Sequence, residues 1–151
     1  MKKILGIAGL ATVGSAAVLA VSLNATPAAA MEVTLYKNPQ CGCCENYANY
    51  LRNNGFAVEV KPTFELARIS RDSGIPDDVQ GCHTSFMGDY VVSGHVPLDV
   101  VNKMLEERPN IVGLTLPGMP MGSPGMGGAK QGPFTIFALK EGVDPTVYAV
   151  E

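Results

Sequence analysis

Three cysteines lie within four residues of this chain, at Cys41, Cys43 and Cys44, and a fourth follows at Cys82. A thiolate attacks disulfides and binds soft metal ions, so this spacing allows either thiol–disulfide exchange or metal binding. His83 follows Cys82 directly and adds an imidazole, another common metal ligand. The cluster therefore predicts a sulfur-rich site, and the rest of the chain must decide between the two chemistries.

The first three cysteines lie between a strand-like segment and a helix-like segment. Residues 31–36 are rich in apolar and β-branched side chains, and residues 45–52 bring Tyr47, Tyr50 and Leu51 to one face at helical spacing. The cluster is therefore predicted to occupy a strand-to-helix turn. Unsatisfied N–H groups and the positive end of the helix dipole favour anions there, which biases a cysteine toward thiolate.

The segments that follow complete the order β-α-β-α-β-β-α. Residues 56–60 alternate as a strand, and Thr63 is predicted to cap a short helix that includes Phe64. A tight hairpin about residues 88–89 and a helix over residues 98–105 come next. This order predicts an α/β domain with a thioredoxin-like fold and a right-handed crossover between its first two parallel strands.

In a thioredoxin-like fold the segment before the third strand lies against the Cys-x-x-Cys turn. Cys82 and His83 are therefore expected beside Cys41 and Cys44. Thioredoxin-like proteins place a cis-proline in that facing segment, but Thr84 stands at the equivalent position here. Because that proline positions peptide substrates and keeps metals out, its replacement favours metal binding over disulfide exchange.

The composition changes after the predicted domain of residues 31–108 and indicates a C-terminal extension, residues 109–151, packed on the same domain. Residues 116–128 of the extension form a Gly/Pro-rich loop with three methionines and no charge, too long and too apolar for an ordinary solvated connection. Two alternating runs about a glycine turn then predict a C-terminal β-hairpin. We expect the loop to be held against the site.

The combined donors favour copper. Cu(I) accepts thioethers, which zinc and iron–sulfur sites do not need. Closely spaced thiolates repel one another unless cations lie between them, which favours sulfur-bridged binding of more than one Cu(I). A Cys₃His zinc site that leaves Cys43 unused is the alternative. His95, before a helix start, is expected to be a surface or structural residue. The predicted metal ligands are Cys41, Cys43, Cys44, Cys82, His83, Met119, Met121 and Met126.

The first thirty residues predict a secretory leader. Lys2 and Lys3 precede an apolar stretch that ends in an Ala-x-Ala sequence, so cleavage after Ala30 and export to a bacterial periplasm are expected. The alternative is an uncleaved membrane anchor, because the stretch is long enough to span a bilayer. Cleavage leaves 121 residues with nine basic and 14 acidic side chains, a net charge of −5. This balance argues against nucleic acid or anionic lipid as a partner.

Four motifs, in order, resemble the CopG-type family of Gram-negative metal-binding proteins, long catalogued as a domain of unknown function. They are YKNPQCGCC at residues 36–44, GCHT at 81–84, GHVP at 94–97 and VGLTLPGMPMGSPGM at 112–126. The resemblance implies a periplasmic copper-resistance protein with a thioredoxin-like domain. It also implies that the C-terminal extension helps to bind copper beside the Cys-x-Cys-Cys turn, with a role in Cu(I)/Cu(II) redox handling.

Three hypotheses for function follow. The first is a monomeric periplasmic copper-binding protein that holds Cu(I) under the methionine loop. Such a protein would have copper oxidoreductase activity if it cycles the metal between Cu(I) and Cu(II). It would exchange copper with a chaperone or an efflux system. The second is a thiol–disulfide oxidoreductase in which Cys41 attacks and Cys44 resolves. The third is an exported domain stapled by zinc or by disulfides, for which only Cys41–Cys44 with Cys43–Cys82 avoids strained loops.

Overall fold

The computed structural model describes residues 30–151, so the predicted leader lies outside the described residues apart from Ala30. Within this range the chain forms seven strands, three α-helices and one short 3₁₀-helix at Asp77–Val79. Their bounds are β1 Glu32–Lys37, α1 Gly42–Asn53, β2 Ala57–Pro62, α2 Leu66–Asp72, β3 His83–Met87, β4 Tyr90–Ser93, α3 Leu98–Glu107, β5 Gly113–Thr115, β6 Thr135–Lys140 and β7 Val143–Val150. The predicted order β-α-β-α-β-β-α is confirmed from β1 to α3, and β6 and β7 form the predicted hairpin.

All seven strands belong to one mixed sheet in the order β2-β1-β3-β4-β5-β6-β7. β1 pairs with β2 in parallel and with β3 antiparallel, so α1 connects two parallel neighbours. β4 pairs with β3 antiparallel and with β5 in parallel. The carboxyl end of β1 and the amino end of β3 therefore meet at one edge of the sheet, where the cysteines lie.

The main core lies between one face of the sheet and helices α1 and α3. Val33 and Leu35 of β1 point into it, and Tyr47 and Leu51 of α1 pack against them. Because side chains alternate along a strand, the intervening residues of β1 point to the opposite face. A smaller cluster about Ile75 lies on that second face, toward α2.

Strand β5 is not among the predicted elements, and it joins the C-terminal extension to the sheet. Three residues are too few for a periodic pattern to reveal a strand. Gly113 allows the pairing, because a Cβ at this position would collide with the carbonyl oxygen of Val91 in β4. The Leu116 N–H then donates to the Ser93 carbonyl at 3.0 Å, which fixes the start of the methionine loop beside the end of β4.

Two helix starts differ from the predicted ones. Helix α1 begins at Gly42, so Cys43 and Cys44 already belong to its first turn. Helix α2 begins at Leu66 with Glu65 as its N-cap, so the prediction that Thr63 caps this helix is wrong. The Thr63 hydroxyl instead accepts a hydrogen bond from the Glu65 N–H at 3.0 Å and forms a turn before the helix. Phe64 lies before the helix and is 82% exposed.

None of the helices formed by residues 30–151 has the length and apolar character needed to cross a membrane.

Candidate metal centre

The turn between β1 and α1 presents the first three cysteines. The Cys41 N–H donates to the Asn38 carbonyl at 3.0 Å, and the Gln40 N–H donates to the Asn38 side-chain oxygen at 3.0 Å. Cys41 occupies the N-cap of α1 in an extended conformation and makes no side-chain capping hydrogen bond. The first N–H groups of α1 therefore favour negative charge in the turn where the sulfurs lie.

Four sulfur atoms meet at this turn. Cys41 and Cys44 form a disulfide, whereas Cys43 and Cys82 form none with any residue that the structure describes. The Cys43 sulfur lies 3.5 Å from that of Cys41 and 3.9 Å from that of Cys82. All four sulfurs lie within 4.8 Å of one another. Two sulfurs bound tetrahedrally to one ion at about 2.3 Å lie about 3.8 Å apart, so the spacing suits metal ions shared between sulfurs.

Cys82 reaches the cluster from the segment that leads into β3. Its carbonyl oxygen lies 3.3 Å from the Cys44 sulfur. Gly81 permits this course, because a Cβ there would collide with the backbone of Gly94. The prediction that the topology brings Cys82 beside the first cysteines is therefore confirmed.

Two buried histidines stand next to Cys82. The Cys82 sulfur lies 3.5 Å from Nδ1 of His83 and 3.1 Å from Nε2 of His95. Both imidazoles are fully buried, and Tyr47 packs on them with ring centroids 4.6 Å from His83 and 5.4 Å from His95. Nε2 of His83 is buried without a hydrogen-bond partner among the described residues. Cys82, His83 and His95 thus form a second group that could hold a metal ion.

The methionine loop determines which nitrogen of His95 carries its proton. Nδ1 of His95 lies 2.6 Å from the Pro124 carbonyl oxygen, which can only accept a hydrogen bond. Nδ1 is therefore protonated, and the lone pair of Nε2 faces the Cys82 sulfur. A backbone carbonyl that orients a metal-ligating imidazole in this way is a common second partner at metal sites.

His95 is the site residue that sequence reasoning missed. The expectation that it is a surface or structural residue fails in one respect, since the side chain is fully buried. The partner that gives it a role is Pro124, 29 positions away, so no local pattern reveals the contact. The only signal in the sequence is that Gly94-His95 belongs to one of the four quoted motifs.

The loop is ordered by its own backbone and by α1. The Met126 N–H donates to the Ser123 carbonyl at 2.9 Å, and the Asn46 side chain donates to the Gly125 carbonyl at 3.3 Å. Met126 is half-buried, but Met119 and Met121 are 44% and 48% exposed. The loop therefore lies against the centre through Pro124 and Gly125. That its three methionines are ligands stays a prediction.

Burial controls protonation around Cys82. Burial raises the pKa of the Cys82 thiol to about 12, and the neighbouring Cys43 acts in the same direction. Burial lowers the pKa of His83 to about 3, assisted by His95, and burial also lowers the pKa of His95. Both imidazoles are therefore neutral at neutral pH, which is the form that binds metals. A bound cation would stabilise the Cys82 thiolate in spite of its burial.

Comparison with known proteins assigns the family. The family model described as "Protein of unknown function, DUF411" matches residues 79–126. Two solved structures of a copper resistance protein CopG, forms 1 and 2, are each 32% identical to this chain with a TM-score of 0.74. Each match covers 81% of this chain and 98% of the solved chain. No curated protein sequence matches the chain.

The match covers nearly all of the solved chain. The cysteine cluster and the mixed sheet with its C-terminal hairpin are consistent with this match. The chain therefore belongs to the CopG-type copper-resistance family.

Proposed function

We propose that this protein is a periplasmic copper-binding protein for copper resistance, which holds more than one Cu(I) in a thiolate site beside the Cys41–Cys44 turn. The observation that carries the proposal is the meeting of four cysteine sulfurs within 4.8 Å. Thiolates are soft ligands that suit Cu(I), and bridging sulfurs let several ions share few ligands. Membership of a family that contains a copper resistance protein supports copper over zinc.

Buried nitrogen donors extend the site on the Cys82 side. His95 joins the proposed ligands because its Nε2 lone pair lies 3.1 Å from the Cys82 sulfur and Pro124 fixes its orientation. His83 is proposed as a ligand on the same grounds of proximity. The methionine loop covers the site, with the half-buried Met126 the best placed of its thioethers.

The Cys41–Cys44 pair gives the site a means of interconverting Cu(I) and Cu(II). When this dithiol is oxidised, a sulfur–sulfur bond forms, two electrons leave and two protons are released. Two Cu(II) ions accept one electron each and become Cu(I). A disulfide at these two positions supports this step. Cys43 and Cys82 then stay available as thiols to hold the product.

Anaerobic metal loading tests the proposal. The mature chain is reduced, offered Cu(I) or Zn(II), separated from free metal and weighed by native mass spectrometry. We expect more than one Cu(I) per chain and displacement of zinc by Cu(I). Addition of Cu(II) to the reduced, metal-free chain should yield two Cu(I) for each disulfide formed. A chain that retains no copper contradicts the proposal.

A thiol–disulfide oxidoreductase is the second candidate, and the Cys41–Cys44 disulfide favours it. Cys41 would attack and Cys44, which is fully buried, would resolve. Against this candidate, Thr84 replaces the proline that faces the disulfide in thioredoxin-like proteins, and its hydroxyl is engaged with Ser70 at 2.8 Å. Rapid disulfide exchange with a reduced model peptide, without copper retention, would select this candidate.

The setting of the copper site is part of the same proposal. Residues 1–30 would direct export and be removed after Ala30, which leaves residues 31–108 and the extension 109–151 as one monomeric unit. A copper chaperone or an efflux system would exchange copper with it. Mass determination of the secreted chain and its elution volume in size-exclusion chromatography test these points.

A further inference from the structure

Lys37 is a charged residue held almost entirely inside the protein, next to the cysteine turn. It ends β1, and its side chain is 7% exposed, although lysine is rarely buried. The ammonium contacts backbone carbonyls. Nζ lies 3.4 Å from the oxygen of Asn38, 3.4 Å from that of Pro39 and 3.3 Å from that of Cys41.

These carbonyls all belong to the turn that presents Cys41. An ammonium has three N–H donors, so Nζ of Lys37 can donate to all three carbonyls and stabilise the backbone conformation of the turn. Lys37 also lies opposite His83 in the pairing of β1 with β3. The side chain therefore fixes a positive charge at the edge of the sheet where the sulfurs and histidines meet.

The nearest carboxylate neutralises this charge only in part. An oxygen of Glu45 lies 3.8 Å from Nζ of Lys37, farther than any of the three carbonyls. The other oxygen of Glu45 lies 3.4 Å from Arg52, and the Glu45 side chain is 45% exposed. Glu45 is thus shared between two cations and partly screened by solvent, so much of the Lys37 charge acts on the turn.

Reduction of the Cys41–Cys44 disulfide places two more thiols, each of which adds negative charge when it loses its proton, in a partly buried site that already holds Cys43 and Cys82. A fixed cation beside the turn lowers the energetic cost of that charge. We propose that Lys37 is a positioning residue of the metal centre, which holds the Cys41 turn through three carbonyls and favours the reduced state of the Cys41–Cys44 pair that loads copper. The copper readout rests on the proposed function, whereas the effect on the disulfide does not need copper.

Equilibration with dithiothreitol measures this preference directly. The Cys41–Cys44 bond breaks as the ring disulfide of oxidised dithiothreitol forms, and two electrons pass from the reagent to the two cysteine sulfurs. The two thiol protons of the reagent go to those sulfurs, or to buffer where a sulfur stays thiolate. Alkylation and mass spectrometry of the full mature chain give the fraction of each form.

Three variants separate the charge from the packing of the side chain. Lys37→Met removes the charge and keeps an unbranched chain, and Lys37→Arg keeps the charge. Lys61→Met is the matched control, because Lys61 lies on the neighbouring strand β2 with its side chain 42% exposed and paired with Glu59. We expect Lys37→Met to shift the equilibrium about tenfold toward the disulfide, which is about 30 mV for this two-electron couple. The equilibrium constant of Lys37→Arg should stay within about twofold of the parent value, and that of Lys61→Met should equal it.

A second substitution keeps the test decisive if Lys37→Met does not fold. Glu45→Gln removes the partly exposed carboxylate and leaves the three carbonyl contacts of Lys37 in place. It should shift the equilibrium the opposite way, roughly twofold to threefold toward the dithiol. A shift toward the disulfide, or no shift, overturns the proposal, as does a Lys37→Met protein that behaves like Lys61→Met.

Copper retention is then compared by competition with a chromophoric Cu(I) chelator, with Lys37→Gln in place of Lys37→Met, because a new methionine would add a thioether ligand beside the site. Lys37→Gln should retain Cu(I) about tenfold less tightly, and Lys37→Arg should retain it like the parent. If Lys37→Arg loses copper and thermal stability as fully as Lys37→Gln, the role of the charge is refuted. A parent protein that binds no copper would refute the proposed function, while the dithiothreitol equilibrium would still decide the role of Lys37.

Discussion

Substitution of Gly125 by alanine should separate the methionine loop from the metal centre. Gly125 has a φ of +80°, and a Cβ there would lie 2.7 Å from the backbone nitrogen of Tyr47 and 3.0 Å from its Cα. Both atoms belong to helix α1, so the helix cannot yield and the loop must move. The adjacent Pro124 carbonyl would move with it and release Nδ1 of His95.

The loss of stability has three parts. A left-handed alanine costs about 1–2 kcal/mol. The hydrogen bonds from His95 to Pro124 and from Asn46 to Gly125 contribute about 1 kcal/mol each when both are lost. Together they predict a decrease of roughly 3–4 kcal/mol in the free energy of unfolding of the metal-free protein, and a Tm lower by about 10 °C. Loss of the carbonyl that orients His95 should weaken Cu(I) binding by about 10–100-fold.

Two alanine controls separate backbone strain from displacement of the loop. Gly142 has a φ of +67° with nothing within 4 Å of its hypothetical Cβ, and it lies in the turn between β6 and β7. Gly142→Ala should cost about 1 kcal/mol and leave copper binding unchanged. Gly127 lies in the methionine loop and also has open space around it, so Gly127→Ala should match the parent in both respects.

Thermal unfolding of the metal-free chains and anaerobic competition with a chromophoric Cu(I) chelator provide the two measurements. A Gly125→Ala protein that is less stable but binds Cu(I) as tightly as the parent would refute the reasoning. In that case the contact between the loop and His95 would contribute to folding alone.

Three further outcomes are expected. Cys43→Ser should lower the number of Cu(I) retained in native mass spectra and leave formation of the neighbouring disulfide intact; unchanged copper would make Cys43 a bystander. The double substitution of Met119 and Met121 by leucine should leave Tm within about 1 °C of the parent value, since both side chains are substantially exposed. It should weaken Cu(I) binding about tenfold. An affinity equal to that of the parent would remove both residues from the ligand set. The metal-free protein should lose stability as pH falls from about 6.5 toward 3, because the unfolded chain protonates His83 while burial holds its pKa in the fold at about 3. The free energy of unfolding, measured in urea at pH 7.5 and 5.0, should fall by about 2 kcal/mol more in the parent than in His83→Gln. Equal decreases in the two proteins would contradict this origin.

The position of the cysteine site could be predicted because it follows from topology. Hydrophobic periodicity indicates a strand before Cys41 and a helix after it, and a thioredoxin-like order leaves one place for the segment that carries Cys82. The contact between the Cys44 sulfur and the Cys82 carbonyl agrees with that reasoning. Such predictions succeed where a long, regular pattern determines the course of the backbone.

The remaining features depend on contacts that no local pattern encodes. β5 is three residues long and exists because Gly113 lets the chain approach β4. The role of His95 comes from a carbonyl in a loop without periodicity, and burial of Lys37 comes from the three carbonyls of an irregular turn. The exposure of Met119 reflects the same irregularity, since its φ of +46° belongs to a turn that only the complete loop defines.

The proposed metal ligands are far apart in the sequence, so the complete site exists only in the folded chain. Cys43 and Cys82 are 39 positions apart, and His95 and Pro124 are 29 apart, so these contacts exist only after the sheet has formed. An unfolded chain offers copper three neighbouring thiols and little else. Copper that binds the complete set of ligands stabilises the native state. The stabilisation rises with the logarithm of the ratio of the copper concentration to the dissociation constant. A chain that crosses a membrane unfolded would thus carry little metal with it, and loading would wait until folding is complete.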